Sequence, residues 1–267
     1  MTVKISKYSM TMNKFLSVRV LPLFLSLTMA CAASVGEPLG ELMKQGNVYD
    51  LKFQPSEALK FYQLAEKIEP DNVDLLLHIA RQYRHLMQDE TALDEKIKLG
   101  GVAKIYATRA ATLAPKESEA HLSIAICYAK MVPLLGTKER MESSRQIKIE
   151  VDKAIALDSK SDLAWHILGC WHQKLADIGV FKRTIAMVVY DGLPAAKNED
   201  AVKCFEKAIA LNPDRLIHYI ELGRTYAQMG DATKAREYID KGLLMPDVGK
   251  DDAEIKQLGR KTLDDLK

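Results

Sequence analysis

A repeating order of bulky and small residues constrains the fold of this chain more than any other feature of its sequence. Four segments of eight residues share one pattern. Each segment has a bulky residue at its first position, an aliphatic residue at its fourth, Ala or Gly at its fifth, and Tyr or His at its eighth. At this spacing the side chains lie on one side of a helix. The segments are 76–83, 121–128, 165–172 and 219–226.

Five other segments have the pattern expected of a second helix that packs beside the first. A small or aliphatic residue is followed by an apolar residue four positions later, and then by Ala or Gly three positions after that. Pro70, Pro115 and Pro213 end three of these helices, because proline lacks the backbone N–H that a helix needs. The segments are 58–70, 103–115, 147–159, 201–213 and 235–246.

Nine segments in alternating order predict an all-α fold, a tetratricopeptide-like α-solenoid of stacked helix pairs. A non-repetitive helical bundle is the alternative. The low counts of 14 Gly and 9 Pro also favour helix. The uneven spacing between first and second helices predicts long first helices or insertions in the early pairs. Residues 250–267 are polar, with apolar residues at helical spacing, and predict a C-terminal capping helix.

The amino-terminal residues 1–32 have the composition of a secretory signal. They carry four basic residues, no acidic residue, and an apolar run at 20–29 that is too short to span a bilayer. Small residues around Cys31 predict cleavage after Ala32 or Ala33, and Met12 is an alternative start. The sequence therefore predicts a signal peptide at 1–32 and a single helical repeat domain at 33–267. The expected location is the periplasm.

Two other interpretations of this segment are open. Lipidation of Cys31 would make the protein a lipoprotein, although the residues before Cys31 lack the Leu that usually precedes such a cysteine. Alternatively, the segment is retained as a membrane anchor or acts as an organelle transit peptide. The protein would then be membrane-associated or cytoplasmic.

The stretch around the third repeat resembles a known family. It carries H-x-L-G-x-W at 166–171, R-x-x-A at 183–186, G-x-P at 192–194 and A-x-x-x-F-x-K-A at 201–208. These motifs are similar to those of the regulator of microtubule dynamics family, and the resemblance covers about residues 55–267. It implies a tetratricopeptide-like fold and a non-enzymatic adaptor associated with microtubules or organelle membranes. The export-type segment indicates an exported relative of bacterial type.

No sequence motif supports an enzyme, a metal site or a cofactor site. The six His residues lack the i, i+4 spacing of a metal-binding helix. Gly100 and Gly101 have no preceding strand, and we predict that they loosen the start of a helix rather than hold phosphate. Cys127, Cys170 and Cys204 are expected to be small buried residues, and a disulfide is disfavoured. The net charge of +2 argues against a nucleic-acid partner.

The predicted binding surface is the concave groove lined by the first helices. In tetratricopeptide proteins, positions one and five residues after the first bulky residue face this groove. The eight residues at these positions are more apolar than a clamp that binds peptide carboxylates. They predict either an apolar extended or helical partner in the groove, or a groove that the apolar insertion at 178–191 covers. We favour the covered groove, because an apolar insertion must be buried somewhere. The eight positions are Leu77, Arg81, Leu122, Ile126, His166, Cys170, Ile220 and Arg224.

The sequence thus predicts a non-enzymatic, exported adaptor that binds a protein or peptide partner. The second hypothesis is a cytoplasmic microtubule-associated or organelle-tethering protein, and microtubules are expected as partners only in that case. The third hypothesis, an enzyme with a site in the insertions, has no motif in its support.

Overall fold

The computed structural model describes residues 36–178 and 195–266. Eleven α-helices and one 3₁₀ turn make up the regular structure of these residues, with no strand among them. None of these helices is long and apolar enough to cross a membrane. The predicted signal at 1–32 and positions 179–191 of the predicted insertion lie outside the described residues. The helices are α1 Gly36–Asp50, α2 Pro55–Ile68, α3 Val73–Asp89, α4 Leu93–Leu113, α5 Ser118–Met131 followed by the 3₁₀ turn Val132–Leu134, α6 Thr137–Leu157, α7 Asp162–Ala176, α8 Asn198–Leu211, α9 Leu216–Gln228, α10 Ala232–Leu244 and α11 Asp252–Asp265.

Consecutive helices pack as pairs. α1 packs against α2, α3 against α4, α5 against α6, α7 against α8 and α9 against α10, and each second helix also contacts the next first helix. The first helices α3, α5, α7 and α9 contact one another in order. This arrangement confirms the predicted tetratricopeptide-like solenoid of helix pairs. The described residues all belong to one compact unit, Gly36–Lys267.

The repeat positions predicted from the sequence form the core. Tyr62, Phe205 and Ile239 occupy the same position in the second helices α2, α8 and α10, and all three are fully buried. Ala107 and Val151 take this position in α4 and α6 and are also fully buried. Burial of a large apolar side chain contributes roughly 1.5–3 kcal/mol. The repeated motif therefore places an apolar contribution of this kind in every helix pair except α3–α4, where the small Ala107 takes the position.

Polar residues in the turns stabilise the starts of several helices. The side chains of Asn72, Ser161 and Asp231 accept hydrogen bonds from the backbone N–H three residues later. Such a cap contributes about 1 kcal/mol, because it satisfies one of the free N–H groups of the first turn. Local sequence therefore sets where α3, α7 and α10 begin.

The extra residues in the early pairs lie mainly in the second helices, whereas the spacing suggested long first helices or insertions. α4 begins at Leu93 and α6 at Thr137. Each start lies almost three turns before the first repeat position of its helix, which is Ala103 or Ile147. The motif spacing gives the number of residues between the repeat positions of the first and second helices. It does not show whether the extra residues extend the first helix or the second.

Gly100 and Gly101 lie inside α4, so the prediction that they loosen a helix start is wrong. Gly100 is buried where α4 meets α3 and α5. A Cβ atom there would lie 2.7 Å from Met87 Sδ and 2.8 Å from Met131 Cγ. The absence of a side chain at Gly100 therefore allows the two methionines to pack against the backbone of α4.

Helix α1 is the first helix of the pair that it forms with α2. The sequence motifs identify α2 but no partner helix before it. Leu39, Leu42 and Met43 pack against the apolar cluster formed by α2 and α3. A Cβ atom on Gly46 would collide with the ring of Tyr62, so the two helices approach closely at this point. α1 lacks the repeat pattern, which is why the sequence motifs did not identify it.

The predicted capping helix is confirmed as α11. It packs against α9 and α10, and Leu266 next to its end contacts the apolar cluster that includes Phe205 and Leu222. The last pair would otherwise expose the apolar face on which another repeat would stack. α11 therefore covers that face.

Two helical glycines provide a matched test of close packing. A Cβ atom on Gly223 would lie 2.7 Å from Ile239 Cγ1 and 2.8 Å from the carbonyl oxygen of Ala235, whereas one on Gly101 would have no atom within 4 Å. We expect Gly223→Ala to lower the free energy of unfolding by about 1–3 kcal/mol, because α10 must shift. We expect Gly101→Ala to raise it by about 0.5–1 kcal/mol, because Ala favours helix over Gly.

Urea unfolding followed by circular dichroism measures both changes. The two variants share the same gain in helix propensity, so the difference between them isolates the steric effect at α10. Equal changes in the free energy of unfolding would contradict the close contact between α9 and α10.

Candidate functional site

The first helices α3, α5, α7 and α9 form one continuous surface, which we call the inner face. The eight predicted groove residues lie on these four helices, two on each. Leu122, His166 and Ile220 are only 1%, 7% and 0% exposed, so they pack in the interior below the inner face. Leu77 and Ile126 are half-buried and pack against the apolar clusters between the pairs. Partner binding by the eight residues stays a prediction.

Arg81 connects the inner face to α1. Its Nη2 atom donates to Asp50 Oδ2 at 2.6 Å and lies 2.6 Å from His78 Nδ1. Burial raises the pKa of Asp50, but the neighbouring His78 and the charge of Arg81 outweigh it and lower this pKa to about 2. Asp50 is therefore ionised near neutral pH. Arg81 stays partly exposed although it is paired.

Arg224 and Gln173 form polar contacts at the far end of the inner face. Arg224 Nη1 donates to Glu221 Oε1 at 2.5 Å within α9. The buried amide of Gln173 on α7 donates to the backbone oxygen of Glu221 at 3.1 Å and to Thr225 Oγ1 at 3.0 Å. These hydrogen bonds join α7 to α9.

A buried series of polar side chains also connects α7 to α9. Asp162 Oδ2 lies 3.0 Å from His218 Nε2, and His218 Nδ1 lies 3.0 Å from His166 Nδ1. His166 Nε2 lies 3.5 Å from Cys170 Sγ. One assignment of protons satisfies all three contacts. In it, His218 donates from Nε2 to Asp162, His166 donates from Nδ1 to His218, and the Cys170 thiol donates to His166.

The pKa shifts in this series indicate a structural role. Burial lowers the pKa of His166, and the neighbouring His218 lowers it further. Burial also lowers the pKa of His218, although Asp162 opposes this effect. For Asp162, burial raises the pKa, but the hydrogen bond from His218 and the charge of Arg215 lower it overall. Burial raises the pKa of Cys170 to about 12, so this thiol is protonated and a poor nucleophile.

Four polar residues extend the inner face by about one turn beyond the predicted positions. Arg84, His85 and Gln88 lie on α3, and Lys130 lies on α5. Arg84 and His85 follow Arg81 by three and four positions, and this helical spacing is the signal that would have identified them. Burial lowers the pKa of His85 to about 4.

The C-terminal segment, residues 246–254, reaches back to this part of the inner face. Asp251 Oδ2 accepts a hydrogen bond from Lys130 Nζ at 2.7 Å. Glu254 Oε2 accepts one from Gln88 Nε2 at 3.2 Å, and Lys250 Nζ lies 2.8 Å from Asp89 Oδ1. The end of the solenoid therefore contacts its second and third helix pairs directly.

The described part of the inner face presents groups that can recognise polypeptide. Guanidinium, amide and imidazole groups lie along it, and such groups hydrogen-bond to polypeptide. Between residues 36 and 178 and between 195 and 266, no three His, Cys, Asp or Glu side chains are placed to hold a metal ion. Cys127, Cys170 and Cys204 are free thiols.

A family model described as regulator of microtubule dynamics protein 1-3 matches residues 42–267. The chain belongs to this family. Regulator of microtubule dynamics protein 1 of Mus musculus is 29% identical over 209 residues, which cover 77% of this chain and 68% of that protein. The Caenorhabditis elegans protein of the same name is 24% identical over 209 residues, covering 77% of this chain and 92% of that protein. The resemblance inferred from the third repeat is thus confirmed.

Solved structures support the same fold for this family member. A thermophilic TPR protein of Thermus thermophilus superposes with a TM-score of 0.63 at 14% identity, covering 84% of this chain and 98% of that chain. PilF of Pseudomonas aeruginosa gives a TM-score of 0.55 at 15% identity, covering 87% and 90%. The fold and the family together support a helical protein-interaction adaptor.

Proposed function

We propose that this protein is a non-enzymatic adaptor that binds a protein or peptide partner on its inner face. The proposal is carried by one observation, the continuous surface that α3, α5, α7 and α9 form by packing in order. Helical-repeat proteins use such extended surfaces for binding, because a row of stacked pairs presents many side chains to one partner. Solenoids of this kind need no enclosed pocket for that task.

The eight predicted groove residues differ in solvent exposure, and only the exposed ones can contact a partner. The buried Leu122, His166 and Ile220 hold the first helices together. The other five remain partly exposed and are the proposed contacts: Leu77, Arg81, Ile126, Cys170 and Arg224.

A crosslinking pull-down from the natural source tests this assignment. We expect Arg81→Gln and Arg224→Gln to reduce recovery of a partner several-fold, because each removes a donor from the inner face. Lys207→Gln on the exposed side of α8 is the matched control and should leave recovery unchanged. Thermal unfolding verifies that all three variants are folded. Equal recovery by wild type and both inner-face variants would contradict the proposal.

We further propose that the adaptor is exported to the periplasm. The support is the basic and then apolar composition of residues 1–32, followed by small residues. Intact-mass measurement of the protein from its natural source should show loss of residues 1–32 or 1–33. A lipid-sized mass increase on a chain beginning at Cys31 would indicate a lipoprotein, and a retained segment would contradict cleavage.

Association with microtubules or organelle membranes is the second candidate function. The observation that favours it is the name shared by the relatives, regulator of microtubule dynamics. Co-sedimentation of the full chain with polymerised tubulin tests it. Saturable pelleting, together with a retained amino terminus and a cytoplasmic location, would favour this candidate over the exported adaptor.

A further inference from the structure

Arg84 is a buried cation without a carboxylate partner among the described residues. It is 7% exposed, and its Nη1 atom donates to Ser123 Oγ at 2.8 Å and lies 3.6 Å from Cys127 Sγ. No carboxylate of residues 36–178 or 195–266 lies within 4 Å of its guanidinium. Buried arginines are almost always paired, because only an opposite charge and full hydrogen bonding offset their lost hydration. The charge of Arg84 opposes the effect of burial on the pKa of Glu119 on α5, so this carboxylate interacts with Arg84 electrostatically. Arg84 therefore has a carboxylate in its surroundings but no direct ion pair.

Three other polar groups lie near Arg84 on the inner face. Gln88 follows Arg84 by one turn on α3, Lys130 follows Cys127 by one turn on α5, and His85 adjoins Arg84. We call Arg84, His85, Gln88 and Lys130 the α3–α5 patch. The donors of Gln88 and Lys130 face a shared region, because the same short C-terminal segment contacts both. His85 interacts electrostatically with Asp251 of this segment, and Arg84 donates to Ser123 on α5.

The C-terminal segment shows that acidic polypeptide fits against this patch. Asp251 accepts a hydrogen bond from Lys130, and Glu254 accepts one from Gln88. The segment thus places two carboxylates beside the patch without reaching Arg84. A peptide carboxylate that extended further along α3 would give Arg84 the direct ion pair that the segment does not provide.

This intramolecular contact is incompletely hydrogen-bonded. Asp251 Oδ1, Gln88 Oε1 and His85 Nδ1 are buried without a hydrogen-bond partner among the described residues. The side chains of Asp251 and Asp89 are 40% and 50% exposed, whereas those of their partners Lys130 and Lys250 are 28% and 13% exposed, so water weakens these two ion pairs only in part. A ligand that pairs more of these groups would compete with the segment.

We propose that the α3–α5 patch binds an acidic peptide segment of the partner, with one partner carboxylate pairing with Arg84. Further acidic side chains would take the places of Asp251 and Glu254 on Lys130 and Gln88. A guanidinium and a carboxylate form the strongest of the charge-assisted hydrogen bonds, often two in parallel. The C-terminal segment acts as an internal competitor, which selects for partners with several acidic residues. This inference rests on the adaptor function proposed above and adds the chemistry of its partner.

Fluorescence anisotropy with the full chain tests the proposal. The probe is a short labelled peptide rich in glutamate, and its control is the same peptide with glutamine at those positions. We expect the glutamate peptide to bind about tenfold or more tightly than the glutamine peptide, and Arg84→Gln to remove most of this difference. Arg84→Lys should retain an intermediate affinity, because it keeps the charge but loses the fork of donors. Lys207→Gln should have no effect.

A second variant tests the competitor. Asp251→Asn combined with Glu254→Gln should tighten binding of the glutamate peptide about three- to tenfold, because the internal carboxylates are removed. If Arg84→Gln fails to fold in a thermal unfolding assay, Lys130→Gln replaces it and is also expected to weaken binding.

Several outcomes would overturn the inference. Equal affinity for both peptides would do so, as would unchanged affinity in the folded patch variants. A dimer of the full chain that is abolished by the Asp251 and Glu254 changes would identify a second copy as the occupant instead. The pull-down with the Arg81 and Arg224 variants does not use this patch. The adaptor proposal can therefore fail or stand independently of the acidic-peptide inference.

Discussion

Phe205→Ala is expected to lower the free energy of unfolding by about 3–5 kcal/mol. Phe205 on α8 is fully buried, and its ring lies 5.4 Å from the ring of His166 between centroids. A Cβ atom on Gly169 would lie 2.8 Å from Phe205 Cε1, so the ring fills the space between α7 and α8 tightly. Its loss leaves a cavity that neighbouring helices fill only in part. Urea unfolding followed by circular dichroism measures the change.

Two further variants separate cavity formation from a general effect of truncation. Phe205→Leu keeps most of the volume and should cost less than about 1.5 kcal/mol. Ile105→Ala removes an apolar side chain that is 66% exposed on α4, and should change stability by no more than about 0.5 kcal/mol. If Phe205→Ala cost no more than Ile105→Ala, the ring would not be part of a tightly packed core.

The position of Phe205 could be predicted from the sequence because it depends on local helical spacing. Ala201, Phe205 and Ala208 recur at the intervals that place them on one side of a helix, and the same intervals identified the other second helices. The turn residues Asn72 and Ser161 act at equally short range. Local spacing therefore determined the helix pairs, their order and most of the core.

Contacts between distant repeats could not be predicted in this way. Lys250 and Asp89 are 161 positions apart in the sequence, and their contact depends on the rotation that accumulates over several helix pairs. The sequence motifs contain no information on that rotation. Likewise, nothing in the separate repeats of His166 and His218 shows that the two imidazoles meet. The candidate site was therefore predicted by helix and position, whereas its polar network became visible only in the structure.

Acidification from about pH 7 to about pH 5 is expected to destabilise the protein through His166 and His218. Burial lowers the pKa of both imidazoles in the folded state, while the unfolded chain titrates near pH 6.5. Below this pH the unfolded state binds protons first, so the free energy of unfolding falls with pH. Each unit of pKa lowering corresponds to about 1.4 kcal/mol at the acid end of the window. Asp162 has a lowered pKa, so its contribution is lost only at lower pH.

The Nδ1 atoms of His166 and His218 explain why protonation is unfavourable in the folded state. They lie 3.0 Å apart, and a hydrogen bond between them needs one donor and one acceptor. Protonation of both imidazoles would place two N–H groups face to face and separate α7 from α9. His166→Asn removes one titrating group and keeps an amide donor, so its urea midpoint should fall less steeply between about pH 7 and about pH 5. The same pH dependence in wild type and His166→Asn would show that this pair does not control stability in acid.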